Sequence, residues 1–95
     1  MRIVWSPQSL RDLQAIHDYI ARDSEHYASL TIARIFVAAE RLLPFPYSGR
    51  IVPERHEPGI REVIVGPFRV VYRVRNDLIE VATVFRASRS FPDKP

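Results

Sequence analysis

Hydrophobic and polar positions change period along this chain, and the changes mark its elements. Arg2, Ile3, Val4 and Trp5 form a short β-prone run, read as a strand. Ser6 follows as a helix cap with Pro7 at the first helical position, where a missing N–H costs nothing. Leu10, Leu13, Ile16, His17 and Ile20 then recur at helical spacing, which predicts a helix to about Arg22. Asp23 or Ser24 opens a second helix, with Glu25 suited to the positive end of its dipole. Its apolar stripe is Ala28, Ile32, Ile35, Phe36, Ala39, Leu42 and Leu43, and Pro44 and Pro46 end it. The connection is very short, so the two helices are expected to pack as an antiparallel hairpin.

Periodicity fades over residues 44–60, which hold four prolines and two glycines. Such a long irregular segment in a small domain is often functional. Alternation with period two then predicts strands over about 61–66, 68–75 and 78–86, the last two joined by Asn76 and Asp77. A two-residue turn sets Arg75 opposite Leu78 and fixes the register. One face then carries Phe68, Val70, Tyr72 and Val74 opposite Phe85, Thr83, Val81 and Ile79, and is expected to cover the helices. The other carries Arg69, Val71, Arg73 and Arg75 beside Val84, Ala82, Glu80 and Leu78, with Arg86 at its end. Arg73 faces Glu80, and the two are expected to neutralise each other. Arg69 faces Val84 and has no acidic partner in this register. Arg69 and Arg86 are therefore expected to be available to a ligand, with Arg89 reaching the same face from an irregular tail. The element order β-α-α-β-β-β is that of an α+β fold in one domain, 1–95.

Charge sharpens the picture. The formal net charge is +3, and the whole excess lies in the second half: residues 1–49 hold five basic and five acidic side chains, residues 50–95 nine and six. Thirteen of the 14 basic residues are arginine, the better residue for bidentate contacts to carboxylate or phosphate. Hydrophobic residues make up 46% of the chain, too many for disorder. No apolar run approaches the length of a membrane span, and the chain is expected to be cytoplasmic.

Candidate chemistry is narrow. The chain has no cysteine, which excludes disulfides, thiolate metal sites and cysteine nucleophiles. His17, His26 and His56 follow no metal-ligand spacing, and no metal or cofactor is expected. There is no glycine-rich phosphate loop and no nucleophile elbow. His17 is read as an ordinary helix residue at the edge of the apolar stripe. The one reactive constellation is Glu54 with Arg69, Arg86 and Arg89. A carboxylate acting as general base on an RNA 2′-hydroxyl, with arginines holding the phosphate, needs no metal. The same residues equally make a basic surface for an acidic segment of a partner protein.

The element order and several short runs resemble the RelE/ParE family of toxins from bacterial type II toxin–antitoxin modules. The runs are Asp18 to Ala21, Leu42 to Pro44, Gly49 to Glu54, Arg61 to Val63, Gly66 to Arg73, and Val84 to Arg89. The resemblance covers nearly the whole chain. It implies an antiparallel helical hairpin packed on one twisted antiparallel sheet, a three-stranded meander with the N-terminal strand paired inside it. It also implies a cognate antitoxin, often with an acidic tail, through which alone the toxin meets operator DNA. RelE-like members cleave mRNA on the ribosome and ParE-like members poison DNA gyrase. Glu54, after Pro53, matches the carboxylate of the RelE-like site, Arg69 the sheet arginine and Arg89 the closing arginine. Arg86 stands where many members have histidine, and Phe91 where a catalytic tyrosine would be. These departures favour a ParE-like toxin acting on gyrase through Arg69, Arg73, Arg86 and Arg89. The alternatives are a ribosome-dependent endoribonuclease using Glu54, Arg69 and Arg86, and a degenerate toxin that binds only its antitoxin.

Overall fold

The structure, a computed structural model, describes residues 1–89 and 91. Strand β1 (Arg2–Trp5) leads into helix α1 (Pro7–Ala21) and helix α2 (Glu25–Glu40). Four strands follow: β2 (Arg50–Ile51), β3 (Ile60–Val65), β4 (Phe68–Arg75) and β5 (Leu78–Arg86). The sheet runs β1-β5-β4-β3-β2. The expected α+β architecture is present, N-terminal strand included, with one strand added and one pairing parallel rather than antiparallel. β1 joins β5 in parallel at one edge of the meander, and the two-residue β2 covers the other edge.

Local chemistry sets the helix ends. The Ser6 hydroxyl accepts from Ser9 N at 3.0 Å and donates to Ala82 O at 2.8 Å, so one residue caps α1 and ties it to β5. Ser24, not Asp23, caps α2, accepting from Tyr27 N. His17 joins the two helices: Nε2 lies 3.0 Å from Glu25 Oε1 and Nδ1 3.3 Å from Asp18 Oδ1. α2 stops at Glu40, before the prolines, because Leu42 and Leu43 turn tightly back onto the carbonyls of Ala39 and Glu40. Leu10, expected in the apolar stripe, is 51% exposed.

The main core lies between the helices and the sheet. Leu13, Ile35 and Ala39 meet Phe68, Val70, Val81 and Val84 there, and Tyr72 and Ile79 continue the face toward Leu42. A second cluster fills the opposite face: Val52, Ile60, Val71 and Phe85, packed by Phe91. That face is therefore not open as the alternation predicts. The 52–59 loop and Phe91 cover it.

The register holds only in part. Arg75 pairs with Leu78, Arg73 with Glu80 and Tyr72 with Val81, as expected. A bulge then leaves Ala82 without a partner, and the ladder resumes one residue on, with Val71 opposite Thr83, Arg69 opposite Phe85 and Phe68 opposite Arg86. A one-residue shift exchanges the faces of everything beyond it. Val84 and Arg86 turn toward the helices, and Phe85 turns away. The bulge is anchored from α1, where Asp12 accepts from the Thr83 hydroxyl and from Val84 N. β1 has already ended there, so Asp12 satisfies an edge N–H that no strand reaches.

Candidate functional site

Arg69 is buried on the covered face, and all three of its guanidinium nitrogens are engaged. Nη1 and Nη2 donate to Glu54 Oε2 and Oε1 at 2.9 and 2.8 Å, a bidentate pair. Nε donates to Glu62 Oε1 at 2.7 Å, and Glu62 takes a further bond from Arg50. The rings of Phe85 and Phe91, packed edge to face with centres 5.6 Å apart, lie 5.1 and 5.3 Å from the guanidinium carbon and approach it together rather than from opposite faces. The expectation that Arg69 lacks an acidic partner is thus corrected. It has two, and the flat, forked shape of arginine suits both the carboxylates and the aromatic pair packed against it.

Glu62 is the residue that the alternation pattern shows and the sequence argument passed over. It is opposite Val71 on β3, which puts it on the face that holds Arg69. Its side chain is completely buried between two arginines. A charge buried so deeply requires this pairing.

The hydrogen bonds from Arg69 hold the Glu54 carboxyl well below its ordinary value of 4.5, at about 2. A carboxylate pinned at both oxygens and this acidic is a poor proton acceptor at neutral pH. Because the folded value lies below the unfolded one, the stabilisation is complete above about pH 4.5 and is lost as pH falls through 2. Glu54 is 43% exposed on its side chain, so solvent screening limits the contribution to about 1 kcal/mol. We expect thermal melts of the native chain and of Glu54→Gln to differ at pH 7 and to converge toward pH 2. A constant difference across that range would refute the pairing.

Arg86 is not part of this cluster. Facing the helices, it stacks on Phe68 with 5.3 Å from guanidinium carbon to ring centre. Glu54 and Arg69 therefore come together, while Arg86 lies on the other side of the sheet. Arg73 is half-buried opposite Glu80, but no ion pair forms between them, which corrects the expected neutralisation. Arg89 is exposed in the turn after β5. The rest of the tail, Ser90 and residues 92–95, lies outside the described residues.

On the helix side of Arg86 the surface is concave. A groove of about 360 Å³ runs between α1 and the end of β5, floored by Ile16, Ile20, Phe68 and Val84 and bordered by Arg86 and Arg89. It continues past Phe68 and Arg86 into a smaller hollow against α2, where Tyr27, Thr31 and Arg34 form the wall. Arg34, Arg86 and Arg89 make no ion pair among the described residues. The groove was missed because the regular register sends Arg86 to the wrong face. No group of acidic or histidine side chains capable of holding a metal occurs among the described residues. None of the described helices is long and apolar enough to cross a membrane.

The sequence model of the family described as "ParE toxin of type II toxin-antitoxin system, parDE" matches residues 3–91. Among similar proteins, Y4kP of Sinorhizobium fredii, named as a candidate toxin, is 36% identical over 96% of this chain and 93% of its own length. Toxin RelE2 of Caulobacter vibrioides is 33% identical over 93% of this chain and 97% of its own. Among solved structures, a chain of the chromosomal ParDE toxin–antitoxin system from P. aeruginosa superposes with a TM-score of 0.75 at 25% identity, covering 90% of this chain and 95% of that one. A YoeB/ParE toxin from Agrobacterium tumefaciens shares the fold, with a TM-score of 0.62 at 19% identity over 90% of this chain and 98% of that one. This chain belongs to the ParE toxin family of type II toxin–antitoxin systems.

Proposed function

We propose that this chain arrests growth by binding DNA gyrase and does not cut RNA. The observation that carries this reading is the clamp on Glu54. A nuclease built from Glu54, Arg69 and Arg86 needs all three around one phosphate, with the carboxylate free to take a proton. Here Arg69 occupies both Glu54 oxygens, and Arg86 points away on the other face. What remains is a surface suited to binding. The matching family is named for ParE, the branch to which gyrase poisoning is ascribed above.

The groove suits the antitoxin. Its floor is apolar and its rim carries Arg34, Arg86 and Arg89, the complement of an amphipathic segment rich in carboxylates. Exposed charges of this kind are screened by salt. Antitoxin affinity is expected to fall as salt rises, and Arg86→Glu with Arg89→Glu to weaken it by about tenfold or more. Salt-insensitive binding would point to a wholly apolar contact.

Primer extension on a reporter mRNA, in a reconstituted translation reaction, tests the central exclusion. With a preparation shown to arrest growth, we expect an intact message. Discrete cuts in ribosome-bound codons would make the chain a nuclease and return Glu54, Arg69 and Arg86 to catalysis. A chain that neither cuts nor slows growth, yet binds its antitoxin, would be a degenerate toxin.

A further inference from the structure

The segment after α2 holds an aromatic side chain out into solvent. Phe45 is 72% exposed, the most exposed of the large hydrophobic side chains, and Tyr47 beside it is 55% exposed. The surrounding backbone is fixed. The Tyr72 hydroxyl, from the core, donates to Pro46 O at 2.7 Å and accepts from Gly49 N at 3.0 Å. Arg61 donates to the carbonyls of Tyr47 and Gly49 at 3.1 Å and to Pro58 O at 2.8 Å, and its guanidinium lies over the Tyr47 ring. Gly49 has no alternative, because a Cβ there would lie 2.5 Å from the Tyr72 oxygen and 2.7 Å from Glu62 O. Pro44 and Pro46 stiffen the chain on either side of Phe45.

We infer that the Pro44–Tyr47 ridge is the contact by which this toxin grips its target protein, with Phe45 entering an apolar pocket rimmed by carboxylates. This rests on the growth-arrest reading above. A rigid aromatic on a fixed backbone loses little entropy on binding, which is the character of an interface hot spot. Charge gives the partner's rim its sign: Arg41 is exposed beside the segment, Arg61 over Tyr47 bonds only to carbonyls, and no acidic residue lies between Arg41 and Arg50, whose own charge is paired with Glu62. A single-stranded nucleic acid fits less well. Arg61 has its donors on backbone carbonyls, and it already covers a face of Tyr47 that a base would need. The antitoxin groove lies toward the other end of α2, a helix of 16 residues and therefore about 24 Å long. A segment filling that groove need not touch Phe45, so mutation can separate the two contacts.

The test is Phe45→Ala, with Phe45→Leu as a milder variant, expressed in the full chain and compared with the native chain for growth arrest. Phe45→Ala is expected to melt within about 2 °C of the native chain, since so exposed a side chain contributes little to the core. It is expected to keep antitoxin affinity within about threefold while losing growth arrest and at least about tenfold in affinity for purified gyrase. Phe45→Leu should fall between. Unchanged arrest by Phe45→Ala would overturn the inference and leave the toxin reading standing. Absence of arrest by the native chain would remove both. Arrest lost together with binding to a single-stranded oligonucleotide would replace the protein partner by nucleic acid. A dimer of the native chain that Phe45→Ala dissolves would make the ridge a self-contact and overturn the assignment.

Discussion

Arg69→Ala is expected to destabilise the fold by about 3–5 kcal/mol, because it leaves the completely buried Glu62 carboxylate without its one buried partner. Arg50 still reaches Glu62, but its own side chain is 59% exposed and supplies a solvated charge. The variant also frees Glu54 and removes the cation packed against Phe85 and Phe91. For a domain this small the loss corresponds to a fall in melting temperature of more than about 10 °C. Replacing the pair together, as Arg69→Met with Glu62→Gln, should recover part of it, since no unpaired charge then remains inside. Circular dichroism melts of the single and double variants decide the matter. A native melting temperature in Arg69→Ala, with activity lost, would restore Arg69 as a ligand-binding residue.

Phe68→Ala carries the other large effect. Phe68 is buried against Leu13, Ile35, Val70 and Val84, supports the guanidinium of Arg86, and floors both parts of the groove. The cavity left behind should cost about 3–5 kcal/mol. The variant should also bind the antitoxin less tightly, even well below its melting temperature, because the groove loses its floor and Arg86 its stacking partner. An unchanged melting temperature would mean that Phe68 is not in the core. Affinity that stays native in a destabilised variant would place the antitoxin elsewhere.

Legibility in the sequence followed how local each signal is. Ser6 with Pro7, Ser24 with Glu25, and the Asn76 turn, where Asn76 takes a positive φ, are decided by neighbouring residues and come out as expected. The register from Arg75–Leu78 to Tyr72–Val81 follows from that turn. Beyond it the pattern gives no warning. From Val81 to Phe85 apolar residues stand at both parities, with only Thr83 between them, so the unpartnered Ala82 leaves no mark in the alternation. What selects the bulge is Asp12, seventy-one residues away from Thr83 in the chain, and such a contact has no local signature.

The geometry of the candidate site was hidden for the same reason. Glu54 and Arg69 do meet, as their selection anticipated, but as a closed pair rather than an open one. The alternation of β3 does place Glu62 on the face of Arg69, and that was the available clue. The β2 strand is two residues long inside an irregular stretch, too short for any periodicity to show. The exposure of Phe45 was equally hidden, since prolines stop a helix without saying which way the following side chain points.

The measurement that bears most directly on the proposed function is DNA cleavage by purified gyrase, with supercoiled plasmid and ATP, in the presence of this chain. Gyrase-bound cleaved plasmid that accumulates with toxin concentration, and disappears when the antitoxin is added, is the expected result. Supercoiling that proceeds unchanged with a preparation known to arrest growth would contradict gyrase as the target.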